Sequence, residues 1–91
     1  MHAVVVKVSI EDAPVATKFL RETIVPGVSQ APGFVAGYWV RLEGRDEGSS
    51  MIVFESEDAA RAAAERIREN VGSNPGATLN DVTVGEVVAN A

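Results

Sequence analysis

Cysteine is absent from the 91 residues, and histidine occurs once, at position 2. The first absence excludes disulfides, thiolate metal sites and nucleophilic catalysis by Cys. The second leaves no imidazole cluster for a metal or a proton relay. Lys and Arg number 8 against 13 Asp and Glu, a formal charge of −5, and the cations are scattered along the chain. A nucleic-acid or anionic-membrane surface needs clustered cations to replace counterions, so neither partner is expected. No apolar run approaches the roughly 18 residues of a membrane span. The start, Met1 to Lys7, has neither a basic segment nor a small-residue cleavage site, so the expected location is the cytoplasm. Linkers rich in Pro, Gly and Ser and internal repeats are also missing, and residues 1–91 read as a single domain.

Hydrophobic residues nevertheless make up 46% of the chain. A domain this short buries only roughly 60 to 65% of its unfolded surface, and this one has no staple. Burying a further apolar face against a partner subunit would relieve that shortage.

The chain opens with a Val-rich stretch, Ala3 to Ile10, in which Val4, Val6, Val8 and Ile10 alternate with Lys7 and Ser9. This predicts a strand with one apolar face. Asp12 is placed to cap a helix with Pro14 in its first turn, and Val15, Ala16, Phe19, Leu20, Thr23 and Ile24 recur at helical spacing. Pro26 disfavours helix at Val25, so the helix should stop or kink there. Phe34 to Leu42 reads as a second strand, a turn is expected at 44–48, and Ser49 to Glu55 reads as a third strand. Ser56, followed by Glu57 and Asp58, caps a second helix whose stripe is Ala60, Ala63, Ala64, Ile67 and Val71, with Gly72 as terminator. Residues Ser73 to Asp81 are expected as a loop and Val82 to Ala89 as the last strand.

The order is thus β-α-β-β-α-β. Right-handed crossovers then give an α+β, ferredoxin-like fold with a four-stranded antiparallel sheet in the order 4-1-3-2 and both helices on one face. Taking the turn at 44–48, Trp39 and Arg41 lie opposite Val53 and Met51, and odd-numbered residues share the open face. That face would carry Val5, Lys7, Ser9, Val35, Trp39, Arg41, Met51, Val53 and Glu55, joined by Val84, Glu86 and Val88 from the last strand. The even-numbered Phe34, Ala36, Tyr38 and Val40 would turn to the helices. An open face this apolar exceeds what a monomer leaves bare, so a second copy is expected to cover it, sheet against sheet.

Lys7, Glu55 and Glu86 fall on adjacent strands of that open face. They could form an acid-base cluster with shifted pKa values or an ion network that sets subunit register, which is the preferred reading. Trp39 with Arg41 would make an aromatic and cationic wall for a planar acidic ligand, or else anchor the subunit interface. Tyr38 is expected in the core under the first helix. The segment from Gly72 to Asp81 could serve as a lid or only as a connection. His2, beside the chain start, is given no site role.

The segments Gln30-Ala-Pro-Gly-Phe-Val-Ala-Gly-Tyr-Trp39 and Met51-Ile-Val-Phe-Glu-Ser-Glu-Asp-Ala-Ala60, with the β-α-β-β-α-β order, resemble the dimeric α+β barrel superfamily and within it the antibiotic-biosynthesis-monooxygenase-like branch. The likeness spans nearly the whole chain. Its motifs are structural: Pro32-Gly33 makes a turn and Ser56 caps a helix. The resemblance implies a homodimer through the sheet face, a cleft between sheet and helices, and cofactor-independent oxidation of a small aromatic substrate. No cofactor or metal is therefore expected, and Tyr38, Trp39 and Arg41 are the catalytic candidates. The heme-degrading relatives resemble one another in an Asn on strand 1, a Trp on strand 3 and a His on helix 2. This sequence departs at all three positions, which argues against heme degradation. The alternative is a non-catalytic dimeric module that binds a ligand or another protein.

Overall fold

The computed structural model of the protein describes residues 1–69 and 75–91. At the centre of its sheet is β1 (His2–Ile10), in which Val4 and Val6 are buried and Lys7 is exposed. β1 pairs antiparallel with β3 (Glu47–Phe54) on one side and with β4 (Ala77–Glu86) on the other, and β2 (Phe34–Arg41) pairs with β3 at the edge. The order β2-β3-β1-β4 is the expected one read from its other end.

The helix α3 (Glu57–Glu69) begins where the Ala59 N–H donates to Ser56 Oγ at 3.1 Å, with Glu57 and Asp58 in the first turn, where the helix dipole favours acids. Its buried stripe is Ala60, Ala63 and Ala64. The fully buried positions of this helix are all alanines, which lets it lie close to the sheet, over Val4, Ile52 and Phe54, each at most 2% exposed, with Ile67 packed at the margin. Burial of each of those three side chains contributes about 1.5–3 kcal/mol. Phe34 meets Phe54 edge-on, with centroids 6.2 Å apart. On the solvent side Arg61 reaches Glu57 at 2.6 Å. The hydrogen bond and then the charge of Arg61 hold the Glu57 carboxyl below its ordinary range. The expected end of this helix, at Val71 and Gly72, lies outside the described residues.

The first helical segment runs further than the sequence implies. Asp12 caps α1 (Ala13–Phe19) as expected, accepting from the Val15 N–H at 3.2 Å. The chain then stays helical through a π turn (Leu20–Ile24) into α2 (Val25–Ser29), past Pro26. Proline lacks an N–H, and its ring collides with the carbonyl four residues back in an ordinary helix. The wider turn ahead of it, in which the Val25 N–H bonds to the Leu20 carbonyl, opens the spiral where that collision would fall. No residue of α1, the π turn or α2 is fully buried; Val28 of α2 packs against the core, whereas α1 and the π turn stand off the sheet that α3 hugs.

β2 faces the other way from its expected orientation. The Leu42 N–H donates to the Glu47 carbonyl at 3.0 Å, so the hairpin loop is 43–46, with Gly44 at φ 71°, rather than 44–48. Trp39 consequently pairs with Ser50 and Arg41 with Gly48. The displacement from the expected register is odd, and an odd displacement exchanges the faces of a strand. Trp39 and Arg41 lie on the helix side, and Tyr38 and Val40 lie on the open side opposite Met51 and Ser49. A bulge between Phe34 and Ala36 absorbs one residue, which keeps Phe34 in register with Phe54 on the helix side and turns Ala36 to the open side with Val53.

β4 also departs from its expected bounds and parity. It begins at Ala77, inside the expected loop, and ends at Glu86, so Val88 lies beyond it. Val84 pairs with Val4 and Val82 with Val6, which puts both valines under the helices, and Glu86 shares that parity beside His2. A bulge between Asp81 and Leu79 leaves Asn80 unpaired in the ladder, and its side-chain amide donates to Ser9 Oγ at 2.8 Å. The open face of β4 therefore carries Asp81 and Thr83.

Candidate functional site

Because α1 and the π turn stand off the sheet, a cleft of about 510 Å³ lies between them and the end of β2. Ala13, Pro14 and Thr17 form its α1 wall. Lys18, Arg21 and Glu22 project into it from the helical segment, and Arg41 enters from the strand. Local sequence explains this convergence. Pro14, Lys18 and Arg21 recur at helical spacing of four and three, as do Thr17 and Arg21, so they share one side of the segment. Arg41 joins them only because the four-residue hairpin loop turns it to the helix side. Its partner Gly48 has no side chain to obstruct it, and a Cβ there would lie 3.1 Å from Val8 and 3.3 Å from Ile10.

Trp39 shares the helix side but does not line the cleft. Its indole leans back over Gly37, where a Cβ would meet the ring at 2.8 Å, and it packs against the core. The expected wall of Trp39 with Arg41 is thus divided: Arg41 faces the cleft and Trp39 packs against the core. Tyr38 is not under the first helix but 70% exposed on the open face.

The grouping of Lys7, Glu55 and Glu86 also dissolves. Lys7 is on the open face, level with Ser49 and Asp81. Glu55 follows the far end of β3, six residues along the strand from Ser49, roughly 20 Å away at the rise of a strand. Glu86 is at the same far end and on the other face. Met51 and Val53 keep the open face with Val5.

The sequence reading missed Thr17, Lys18, Arg21 and Glu22. Their shared helix side was legible as spacing. Their meeting with Arg41 was not, since it depends on the register of a strand some twenty residues away.

The open face of the sheet exposes Val40 at 53% and Met51 at 49% beside Tyr38, with Val35 of the bulge exposed as well. No described helix is long and apolar enough to cross a membrane.

No protein-family model matches the chain, and no curated protein matches it in sequence. Among solved structures it is similar to a variant of SnoaB, a cofactor-independent oxygenase from Streptomyces nogalater, with TM-score 0.69 and 16% identity over 98% of this chain and 94% of that one. It is also similar to the heme-degrader MhuD of Mycobacterium tuberculosis with two hemes bound, with TM-score 0.60 and 25% identity over 97% and 98% of the two chains. A monooxygenase from the gene ActVA-Orf6 of Streptomyces coelicolor, in complex with nanaomycin D, matches with TM-score 0.62 and 16% identity over 98% and 92%. The chain has the ferredoxin-like α+β fold of these structures, which belong to the antibiotic-biosynthesis-monooxygenase-like group of dimeric α+β barrels.

Proposed function

We propose that the chain, one α+β barrel domain over residues 1–91, is a small-molecule-binding protein that works as a homodimer through its open sheet face and as a cofactor-independent monooxygenase on an aromatic substrate. The observation that carries the reading is the cleft of about 510 Å³ between the first helical segment and the sheet. Its volume falls within the roughly 300–1,000 Å³ of small-molecule sites, and the fold is shared with a cofactor-independent oxygenase.

The side chains present suit one part of that chemistry. An anthrone-type substrate loses a C–H proton to give a carbanion delocalised onto its ring oxygen, and the cations around the cleft favour that charged form. Glu22 is the carboxylate at hand to take the proton. Dioxygen adds to the carbanion, the resulting peroxide is protonated, and loss of water leaves a carbonyl. Arg41 is the residue to which we assign stabilisation of the anion. Trp39 and Tyr38 are given no contact with substrate.

Oxygen uptake by the purified protein with an anthrone, without added metal or flavin, tests the reading. Turnover that falls by about a hundredfold in Arg41→Ala, as when a single oxyanion donor is removed, is expected. The second reading, a non-catalytic dimeric ligand-binding module, is favoured by the lack of any imidazole, phenol or indole in the cleft lining. Binding without oxygen uptake would establish it.

A further inference from the structure

Six of the eight cations of this acidic chain fall into two contrasting groups. Among the described residues Arg45, Arg61 and Arg68 each hold a glutamate, at 3.8, 2.6 and 2.7 Å. Lys18, Arg21 and Arg41 hold none, and all three face one cleft in which Glu22 is the single acid, a lining charge of 3 − 1 = +2 in a chain of −5. A second cavity, of about 220 Å³ between α3 and β4, shows the contrast. It too is lined by two arginines, Arg61 and Arg68, but both are neutralised by Glu57 and Glu65.

Cations gathered at a cavity repel one another, and the chain has acids enough to have paired them. An oxyanion relieves that repulsion. The two guanidinium groups offer planar forks that match the paired oxygens of a carboxylate or phosphate, and the Lys18 ammonium adds a point charge. Thr17 supplies a hydroxyl donor on the same wall, while Ala13 and Pro14 supply apolar surface for the rest of the molecule. The π turn bears Arg21 and Glu22, and its extra residue sets their direction relative to Lys18 on α1.

We propose that this cleft is an oxyanion site, built by Lys18, Arg21 and Arg41, that takes the carboxylate or phosphate of a small ring-bearing ligand. This rests on the reading that the cleft receives small molecules and adds the ligand class that it selects. The anionic group anchors the ligand, and the ring lies along Ala13 and Pro14.

Three naphthalene probes that share a ring system test the proposal: the carboxylate, the phosphate ester and the neutral carboxamide. Each is titrated into the 91-residue protein and followed by amide NMR shifts. The carboxylate or the phosphate, whichever source the site prefers, is expected to shift residues 13–22 and 41 and to bind at least about tenfold more tightly than the carboxamide, the effect of one charge-assisted contact. Arg41→Gln and Lys18→Gln, both at exposed side chains, are expected to weaken the anion by about tenfold each and leave the carboxamide unchanged. Added salt should weaken the anions alone. Equal binding of all three probes in the cleft overturns the oxyanion site while the small-molecule cleft stands. If no probe shifts those residues, the small-molecule reading falls with it.

Discussion

Gly37 is where the observed packing of β2 can be perturbed by one carbon. A Cβ at this position would lie 2.8 Å from Cη2 and 2.9 Å from Cζ3 of Trp39, and 3.6 Å from Cε1 of Phe34. Carbon atoms rest at about 3.5–4.0 Å, so the indole must withdraw by nearly an ångström from a seat against the core. Such overpacking costs about 1–3 kcal/mol. Against it stands the ordinary gain of Ala over Gly inside a strand, about 0.5–1 kcal/mol. Gly37→Ala should therefore destabilise by about 1–2 kcal/mol, a fall in Tm of about 4–8 °C per kcal/mol in a domain of this size.

Gly85 is the internal control, since it lies on β4 with nothing within 4 Å of an added Cβ. Gly85→Ala should be neutral or stabilising by up to about 1 kcal/mol. Urea denaturation followed by circular dichroism measures both. Repeating Gly37→Ala in a Trp39→Phe background closes a double-mutant cycle, because phenylalanine lacks the two indole atoms that the Cβ would meet. A penalty that persists at full size in that background would refute the seat of Trp39 over Gly37. So would a stabilised Gly37→Ala.

The open face gives a second expectation: Val40→Asp and Met51→Asp should dissociate the proposed dimer, because each places an unpaired charge in an apolar contact, and sedimentation that still shows a dimer for both would move the interface elsewhere. Ser56→Ala should cost about 0.5–2 kcal/mol by removing the cap of α3, read from chemical denaturation. The lowered Glu57 carboxyl sets a sign for pH. Its contribution to stability is fully present above the ordinary value of 4.5 and is lost as the pH falls through the lower folded value, so Glu57→Gln and the parent should converge in acid. A gap between them that widened on acidification would contradict the Arg61 contact as its cause.

The element order and the sheet order were legible because they rest on long-range features of the pattern: Val-rich alternation, two capped helices and the handedness of crossovers. Ser56 and Asp12 cap as the spacing implied. The faces of β2 were not legible, because a single residue in the placement of the 43–46 loop decides them and a run such as Phe34-Val-Ala-Gly-Tyr-Trp-Val is apolar on both parities. Val84 and Glu86 were misassigned for a similar reason: the strand holding them starts earlier, among polar residues that are stabilised by the ladder with β1. The candidate site suffered most, since Lys18, Arg21 and Arg41 form a group only after β2 has been turned over. At Pro26 the sequence left a stop or a kink open, and the chain stays helical, its regular spiral interrupted by a π turn ahead of the proline instead of by a helix end.

The contact between a bound ring and the protein tests the cleft most directly. With the naphthalene carboxylate bound, cross-relaxation from its ring protons should reach the Thr17 methyl and the Arg41 side chain, which line one cleft. Cross-relaxation to the Tyr38 ring and the Met51 methyl, on the open face of the sheet, would place the ligand on the wrong side and contradict it.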